Sequence, residues 1–414
     1  MRVPNSNRPP RRESNPYGAR GLPAGARTDP ASVASVDART RSTRGARADS
    51  GAAVGHAWFA GVRASRPVEC VDLPAGAARL ARGFWVVLTE FEGTGRAWRF
   101  ADVVRDAPED DAPGPDGWRG PPRDAWRSSM SQARYRRGVA AVQRRIRAGD
   151  VYQVNLCRVL EAPLPTGAGE PSAAALAARL VANPAPFAGG LHVPAGGPLA
   201  PAWLVSASPE RFLSVRDGEV ASGPIKGTAA TADGLSGKDR AENVMITDMV
   251  RNDLQRACAP ASVEVSALLA VEEHPGLVHL VSTVVGRLLP EVGWPELLAA
   301  THPPASVSGA PKHTALKVIA ELEPVPRGPY CGAFGWVDGD AGRAELAVTI
   351  RSFWWTPDGG GRLRFGTGAG ITADSDPAAE WAETELKAAR LVALASGPER
   401  PAAPAARADE GSDG

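Results

Sequence analysis

Lysine is scarce in this chain. Lys226, Lys238, Lys312, Lys317 and Lys387 are the only ones among 47 basic residues, and all lie in the C-terminal half. Arginine cannot serve as a nucleophile or base, so the surviving lysines reflect either codon chance or places where a compact, deprotonatable amine is needed. Cysteine is scarce too. Cys70, Cys157, Cys258 and Cys331 stand far apart, which argues against a CxxC zinc site or a dense disulfide framework and suits reduced cytosolic thiols. No run approaches the ~18 consecutive apolar residues of a membrane span, and the Arg-rich N-terminus has no apolar stretch resembling a secretory signal. A soluble, cytoplasmic protein is expected. Excess charge is also missing: a formal net charge of +1 with 22% charged residues indicates neither a general nucleic-acid surface nor a disordered acidic chain, leaving small molecules or proteins as partners.

What is present is a chain of 414 residues, able to bury a sizeable core in one large mixed unit or in two. Residues 1 to about 55 carry ten arginines against Glu13, Asp29, Asp37 and Asp49 and show no apolar period. They read as a disordered arm, either a solvated tail or a weak tether to nucleic acid. Residues 398–414 have the same character. Residues 56–123 read as a strand-rich part, with a strand at 84–88 and a Pro/Gly/Asp-rich linker over 107–123, packed on a main domain at 124–397. In that domain Tyr135, Val139, Val142 and Ile146 recur at helical spacing, and Gly149-Asp150 stops the helix. Further strands are predicted at 203–206, 333–337, 344–351 and 362–365, and helices at 237–258, 312–321 and 377–394. Without a fixed repeat or a strict β-α-β rhythm, this is α+β architecture.

Several local patterns carry chemistry, each with an ordinary alternative. In Val151-Tyr152-Gln153-Val154-Asn155-Leu156 the period of two puts Gln153 and Asn155 on one face, either a lined polar site or a solvent-facing edge. Helical spacing puts Asp239 with Glu242, and Glu380 with Glu383, on single faces of two helices. These hard oxygen ligands could hold Mg²⁺, or they are solvated faces. The cluster Gly366-Thr367-Gly368-Ala369-Gly370-Ile371 is an anion cradle of backbone N–H groups or a tight turn, and lacks the Gly-Lys-Ser/Thr of a P-loop. Arg351 shares a strand face with Thr349 and binds a carboxylate, helped by the Tyr330 hydroxyl, or simply faces solvent. Lys226, between Ile225 and Gly227, is a partly buried amine with a lowered pKa and nucleophilic character, or decorates a turn.

Taken in order, these segments resemble the chorismate-utilising enzymes over roughly residues 57–395. The resemblance is carried by Gly149-Asp150-Val151-Tyr152-Gln153-Val154-Asn155-Leu156, Ser208-Pro209-Glu210-Arg211, Pro224-Ile225-Lys226-Gly227-Thr228, Lys238-Asp239-Arg240-Ala241-Glu242-Asn243, Arg251-Asn252-Asp253-Leu254, His279-Leu280-Val281-Ser282-Thr283, Ser308-Gly309-Ala310-Pro311-Lys312 and Gly368-Ala369-Gly370-Ile371 with Asp374-Ser375. It implies a β-sandwich-like core of antiparallel sheets ringed by helices, with the site in a cleft. It also implies that Glu242 and Glu383 hold Mg²⁺, with Asp239 and Glu380 nearby, against the ring carboxylate of chorismate. Arg351, Tyr330, the amides of Gly368, Ala369 and Gly370, and Lys387 would take the substrate's carboxylates. His279, Thr283, Ser306 and Glu210 would line the ring and its 4-hydroxyl.

By the same resemblance, isochorismate and salicylate synthases carry a lysine base where this chain has Gln153; an amide cannot activate water, so amination is favoured. Anthranilate synthases usually show Ala in the Pro-Ile-x-Gly-Thr loop, and aminodeoxychorismate synthases, on the route to 4-aminobenzoate and folate, show Lys, as here at Lys226. The implied mechanism is attack by the neutral Lys226 amine at ring C2 with loss of the C4 hydroxyl, then attack of ammonia at C4 that expels the lysine, with Glu210 and Mg²⁺ assisting. Ammonia would come from a separate glutamine amidotransferase. The chain departs from the family pattern at Thr231, where Arg is usual, and at Ala305, where Gly is usual. The Leu-Leu-Glu-Ser signature of tryptophan-inhibited relatives is absent, so no tryptophan feedback is expected. The competing readings are an anthranilate synthase large subunit and a non-catalytic relative that serves as a partner scaffold.

Overall fold

The computed structural model describes residues 55–106, 117–164, 169–229, 231–274 and 277–397. The expected arm, apart from Gly55, most of the linker at 107–123 and the tail at 398–414 lie outside them. The N-terminal strands are β1 (His56–Phe59), β2 (Val62–Leu73), β3 (Phe84–Thr89) and β4 (Gly95–Arg105). After β5 (Arg127–Ser128), α1 (Gln132–Arg147) and β6 (Gln153–Pro163) come α2 (Ala173–Leu180), β7 (Phe187–Val193), β8 (Ala202–Ser208), β9 (Arg211–Arg216), β10 (Glu219–Gly223) and β11 (Ile225–Ala229). Helix α3 (Gly237–Gln255) leads to the hairpin β12 (Glu264–His274) and β13 (Leu277–Arg287), then α4 (Trp294–Thr301), β14 (Gly309–Ala310) and α5 (Lys312–Leu322). The remainder is β15 (Ala333–Asp338), β16 (Arg343–Val348), β17 (Ser352–Thr356), β18 (Arg362–Ile371) and α6 (Pro377–Ala395).

Sequence pattern explains the elements locally. On α1, Tyr135, Gly138, Val139 and Val142 are buried at spacings of three and four, and the Ser131 hydroxyl caps the helix by accepting from the Arg134 N–H at 3.3 Å. The unbroken apolar run of β3 is buried nearly throughout, because both of its faces are covered.

All strand pairs are antiparallel, and hydrogen-bonded neighbours run β6–β18–β17–β8–β7–β1–β2–β4–β3–β15–β16–β9–β10–β13–β12. The N-terminal strands are thus part of the same sheet as the rest: β1 pairs with β7 and β3 with β15. Two long bent strands, β8 running into β9 and β16 running into β17, carry the sheet around a corner and close it on itself. There the Ala207 N–H donates to the Arg351 carbonyl at 3.1 Å and the Val348 N–H to the Glu210 carbonyl at 3.0 Å. Leu156, Leu191, Leu213, Phe334 and Leu346 from both halves share one buried cluster, to which the helices add Val139, Ile246, Leu297 and Val318. This is the α+β, sandwich-like core expected. No described helix is long and apolar enough to cross a membrane.

One local expectation is corrected. The glycine cluster at 366–371 is neither a turn nor a cradle of successive N–H groups. Strand β18 runs straight through it in register with β6, Gly368 opposite Cys157 and Gly370 opposite Asn155. The glycines are there for close approach: a Cβ at Gly366 would overlap the Tyr330 ring, and one at Gly370 would overlap Gln153 Nε2 and Glu242 Oε1.

Candidate active site

The strand corner places the first pair of groups. Glu210 follows the bend between β8 and β9, fixed by the Ser208 hydroxyl donating to the Val348 carbonyl at 2.6 Å, and is only 4% exposed. Burial pushes its carboxyl up to about 7, against the opposing pull of the Ser306 hydroxyl, Lys226, the Ile225 N–H and Arg351. Arg351 sits in the other bend with φ +52, a left-handed conformation costly for a residue with a Cβ. Burial draws its guanidinium below the usual arginine value, with Glu210 pulling the other way. The arginine is therefore held at a structured corner rather than facing open solvent.

Lys226 arrives on β11, where the register with β13 shifts between Ile225 and Thr228. Gly227 at φ +85 makes that irregularity, and any Cβ there would stand 2.8 Å from Asp239 Cβ. Lys226 Nζ lies 2.8 Å from Glu242 Oε1, with both side chains mostly buried. Gln153 donates from Nε2 to the same oxygen at 2.5 Å, and its own Oε1 is buried with no hydrogen-bond partner. Gln153 and Asn155 are both buried, so β6 presents a lined polar face and not a solvent edge; Tyr152, just before the strand, is 71% exposed.

The expected lowered pKa of Lys226 is corrected. Burial does push the ammonium down, but Glu242 in direct contact, with Glu210 and Glu383 behind it, outweighs burial and raises it above the ordinary lysine value. Glu242 is held below the usual carboxylate range in turn: burial pushes it up, and Lys226, the Gln153 amide and Lys387 more than reverse that.

Helix α6 supplies the facing carboxylates. Glu380 is 3% exposed; its Oε1 accepts from the Ser375 hydroxyl at 2.5 Å and from Lys238 at 3.1 Å, while Oε2 is buried with no partner. Glu383 pairs with Lys387 at 2.6 Å, and Lys387 also donates to the Gly368 carbonyl at 3.1 Å. That carbonyl therefore faces away from β6, and so do the N–H groups of Gly368 and Gly370, two residues apart on the same strand. Strand β17 covers this edge only as far as Phe365, so these two donors lie on a stretch of edge that β17 does not pair.

Asp239 does not join the acidic set. Its carboxylate accepts from the Ser236 N–H at 2.8 Å and hydroxyl at 2.6 Å, completing the capping box of α3. Tyr330 is buried with its hydroxyl 3.9 Å from Cys157 Sγ, so its described contact is that thiol beneath Gly368, not Arg351. His279 is buried on β13 opposite Thr228 and Glu272, and Thr283 is half-buried opposite Ala267 on the same strand. Ala369 is fully buried in register with Leu156. Two contacts to the acidic set were not foreseen: Lys238, which bridges α3 to α6, and Ser375, which donates to Glu380. Their motifs were visible, but nothing in one sequence says which helix they reach.

Whether Mg²⁺ suits this place rests on the donors. They are hard carboxylate oxygens on two facing helices, one of them buried without a partner, and such oxygens suit a hard divalent cation. As arranged here, no group of three such side chains among the described residues stands ready to hold a metal; Glu242, Glu380 and Glu383 each face a lysine instead.

Residues 101–393 match the chorismate binding enzyme family. The chain is 39% identical over 281 residues to aminodeoxychorismate synthase component 1 of Klebsiella aerogenes, which covers 65% of this chain and 59% of that protein. It is 36% identical over 271 residues to anthranilate synthase component 1 of Saccharolobus solfataricus, covering 63% and 61%. The chain thus spans about three fifths of the length of these relatives. The structure of anthranilate synthase component I from Streptococcus pneumoniae superposes with a TM-score of 0.65 at 23% identity, over 86% of this chain and 95% of that one, and so shows a shared fold. Since the family match extends over well more than half of its residues, the chain belongs to the chorismate binding enzymes.

Proposed function

We propose that this chain is the chorismate-aminating component of an aminodeoxychorismate synthase, converting chorismate and ammonia to 4-amino-4-deoxychorismate on the route to 4-aminobenzoate. The observation that carries the reading is Lys226: a primary amine on β11, turned inward to Glu242 and within the field of Glu210. The ammonia would come from a glutamine amidotransferase, and the word "component" in the names of the similar proteins supports a partner.

In this reading the neutral Lys226 amine attacks ring C2 as the C4 hydroxyl leaves, and Glu210 provides the proton that lets it depart as water. A carboxyl with a pKa of about 7 is suited to that task, being partly protonated at neutral pH. Ammonia then attacks C4 and Lys226 leaves C2, which restores the amine. Lys226 must first be released from Glu242, which holds it protonated. Arg351, Lys387 and the N–H groups of Gly368 and Gly370 supply positive charge for the substrate's carboxylates. Gln153, an amide, has no basic nitrogen with which to activate water. Glu242 and Glu383, with Glu380, would hold Mg²⁺, whose chemistry when bound is to balance carboxylate and developing charge.

The test is turnover of the full chain with chorismate, Mg²⁺ and ammonium. The expected product is 4-amino-4-deoxychorismate, and Lys226→Ala should lower its formation on the order of 10³-fold or more. A mutant with full activity would remove the covalent step. The relatives named anthranilate synthase component 1, at 36 and 37% identity, keep a second reading open; fluorescent anthranilate as the main product would establish it.

A further inference from the structure

Three acidic side chains carried by α3 and α6 are each matched to a lysine, and the three pairs differ in kind. Glu383 and Lys387 lie one turn apart on α6 and are 45% and 44% exposed, an ordinary surface pair of small net energy. Glu380 and Lys238 join the two helices. Glu242 and Lys226 come from different elements and are 12% and 13% exposed. A carboxylate so deeply placed cannot stand charged without a cation beside it, because desolvation would drive it to take up a proton.

The choice of residue is informative. Nearly all of the 47 basic residues are arginine, yet all three cations at these carboxylates are lysines, which make up three of the five in the chain. Arginine would grip a carboxylate with a rigid two-pronged fork; an ammonium on a four-carbon stem binds as a point charge and can swing away. Beside it, Glu380 Oε2 is buried with no partner, an oxygen left for a ligand that these lysines do not supply.

Resting on the functional reading above, the geometry points to Lys226 as the resident counter-ion of the divalent-cation site: its ammonium holds the position against Glu242 that the cation takes, so the two bind in competition. The order of events follows. Lys226 stays paired, and withheld from the ring, until a cation takes over Glu242; only then does the stem swing free toward a substrate. Premature reaction of the amine is avoided because the group that must be displaced is the nucleophile itself.

The experiment measures metal binding to the full chain without substrate, using Mn²⁺ by electron paramagnetic resonance and Mg²⁺ by calorimetry. Lys226→Met removes the competitor and should bind Mn²⁺ about tenfold more tightly, the equivalent of one lost charge-assisted hydrogen bond. Lys226→Arg keeps a cation and should bind no more tightly than the wild type. Should the methionine variant fail to fold, wild-type reductive methylation read by mass spectrometry decides: saturating Mg²⁺ should raise labelling of Lys226 several-fold and leave Lys312, held by Asp253 at 2.5 Å, unchanged. Unchanged Mn²⁺ affinity in Lys226→Met, or Lys226 labelling indifferent to Mg²⁺, overturns the competition even if the enzyme still aminates chorismate. Absence of Mn²⁺ and Mg²⁺ binding in the wild type overturns both this inference and the metal-assisted reading.

Discussion

At Glu210, desolvation exceeds everything that Ser306, Lys226, the Ile225 N–H and Arg351 do to favour the charged form. The sign of the effect on stability follows. The folded carboxyl, at about 7, holds its proton over a range where the unfolded one, near 4.5, has lost it, so stability falls as pH rises from about 4.5 through 7. Urea denaturation should therefore show the wild type losing about 2.5 kcal/mol relative to Glu210→Gln between pH 5 and 8. A difference that does not change with pH would sink the assignment. Lys226 shows the limit of reading such groups from sequence. Flanking apolar and glycine residues allowed partial burial beside a turn position, and the structure buries it; the partner that reverses its titration, Glu242, lies on a later helix, and its contact belongs to the tertiary fold.

Helices were the most legible elements. Their periodic apolar faces and caps are local, and α1, α3, α5 and α6 begin and end within a few residues of the expected positions. Asp239 was legible as a helix-face carboxylate but not as a cap, since its partner Ser236 lies outside the helical period. Asp239→Ala should cost about 1 kcal/mol in stability and leave Mg²⁺ affinity within about twofold; a tenfold loss of affinity in calorimetry would make it a ligand after all. Strand β18 was misread at its glycines for the opposite reason. A glycine cluster signals a turn unless something else fills the missing side chains, and here the filling groups, Tyr330, Cys157 and Gln153, belong to other parts of the chain.

Over the whole molecule, the sheet is joined to its surroundings by a buried cation that no motif announced. Arg327, 1% exposed, donates to Glu323 and to the carbonyls of Val307 and Asn155, and stacks 4.0 Å over the Phe91 ring. Arg327→Met should destabilise the fold by about 3–5 kcal/mol, because Glu323 is left charged and buried. Arg327→Met with Glu323→Gln should restore part of that loss in thermal or urea unfolding, and no restoration would show that the carbonyl contacts matter more. The order of strands was not legible, since antiparallel neighbours are set by register between segments far apart in the chain.

The closure of β3 against β15 has a consequence for biosynthesis. The Thr89 hydroxyl accepts from the Ala333 N–H across a separation of 244 residues. While the ribosome is still supplying the intervening chain, β3 has one edge without its permanent neighbour, exposed to pairing with other nascent chains. That edge is completed only once the chain has been made through Asp338, so the closing step of the sheet waits for β15.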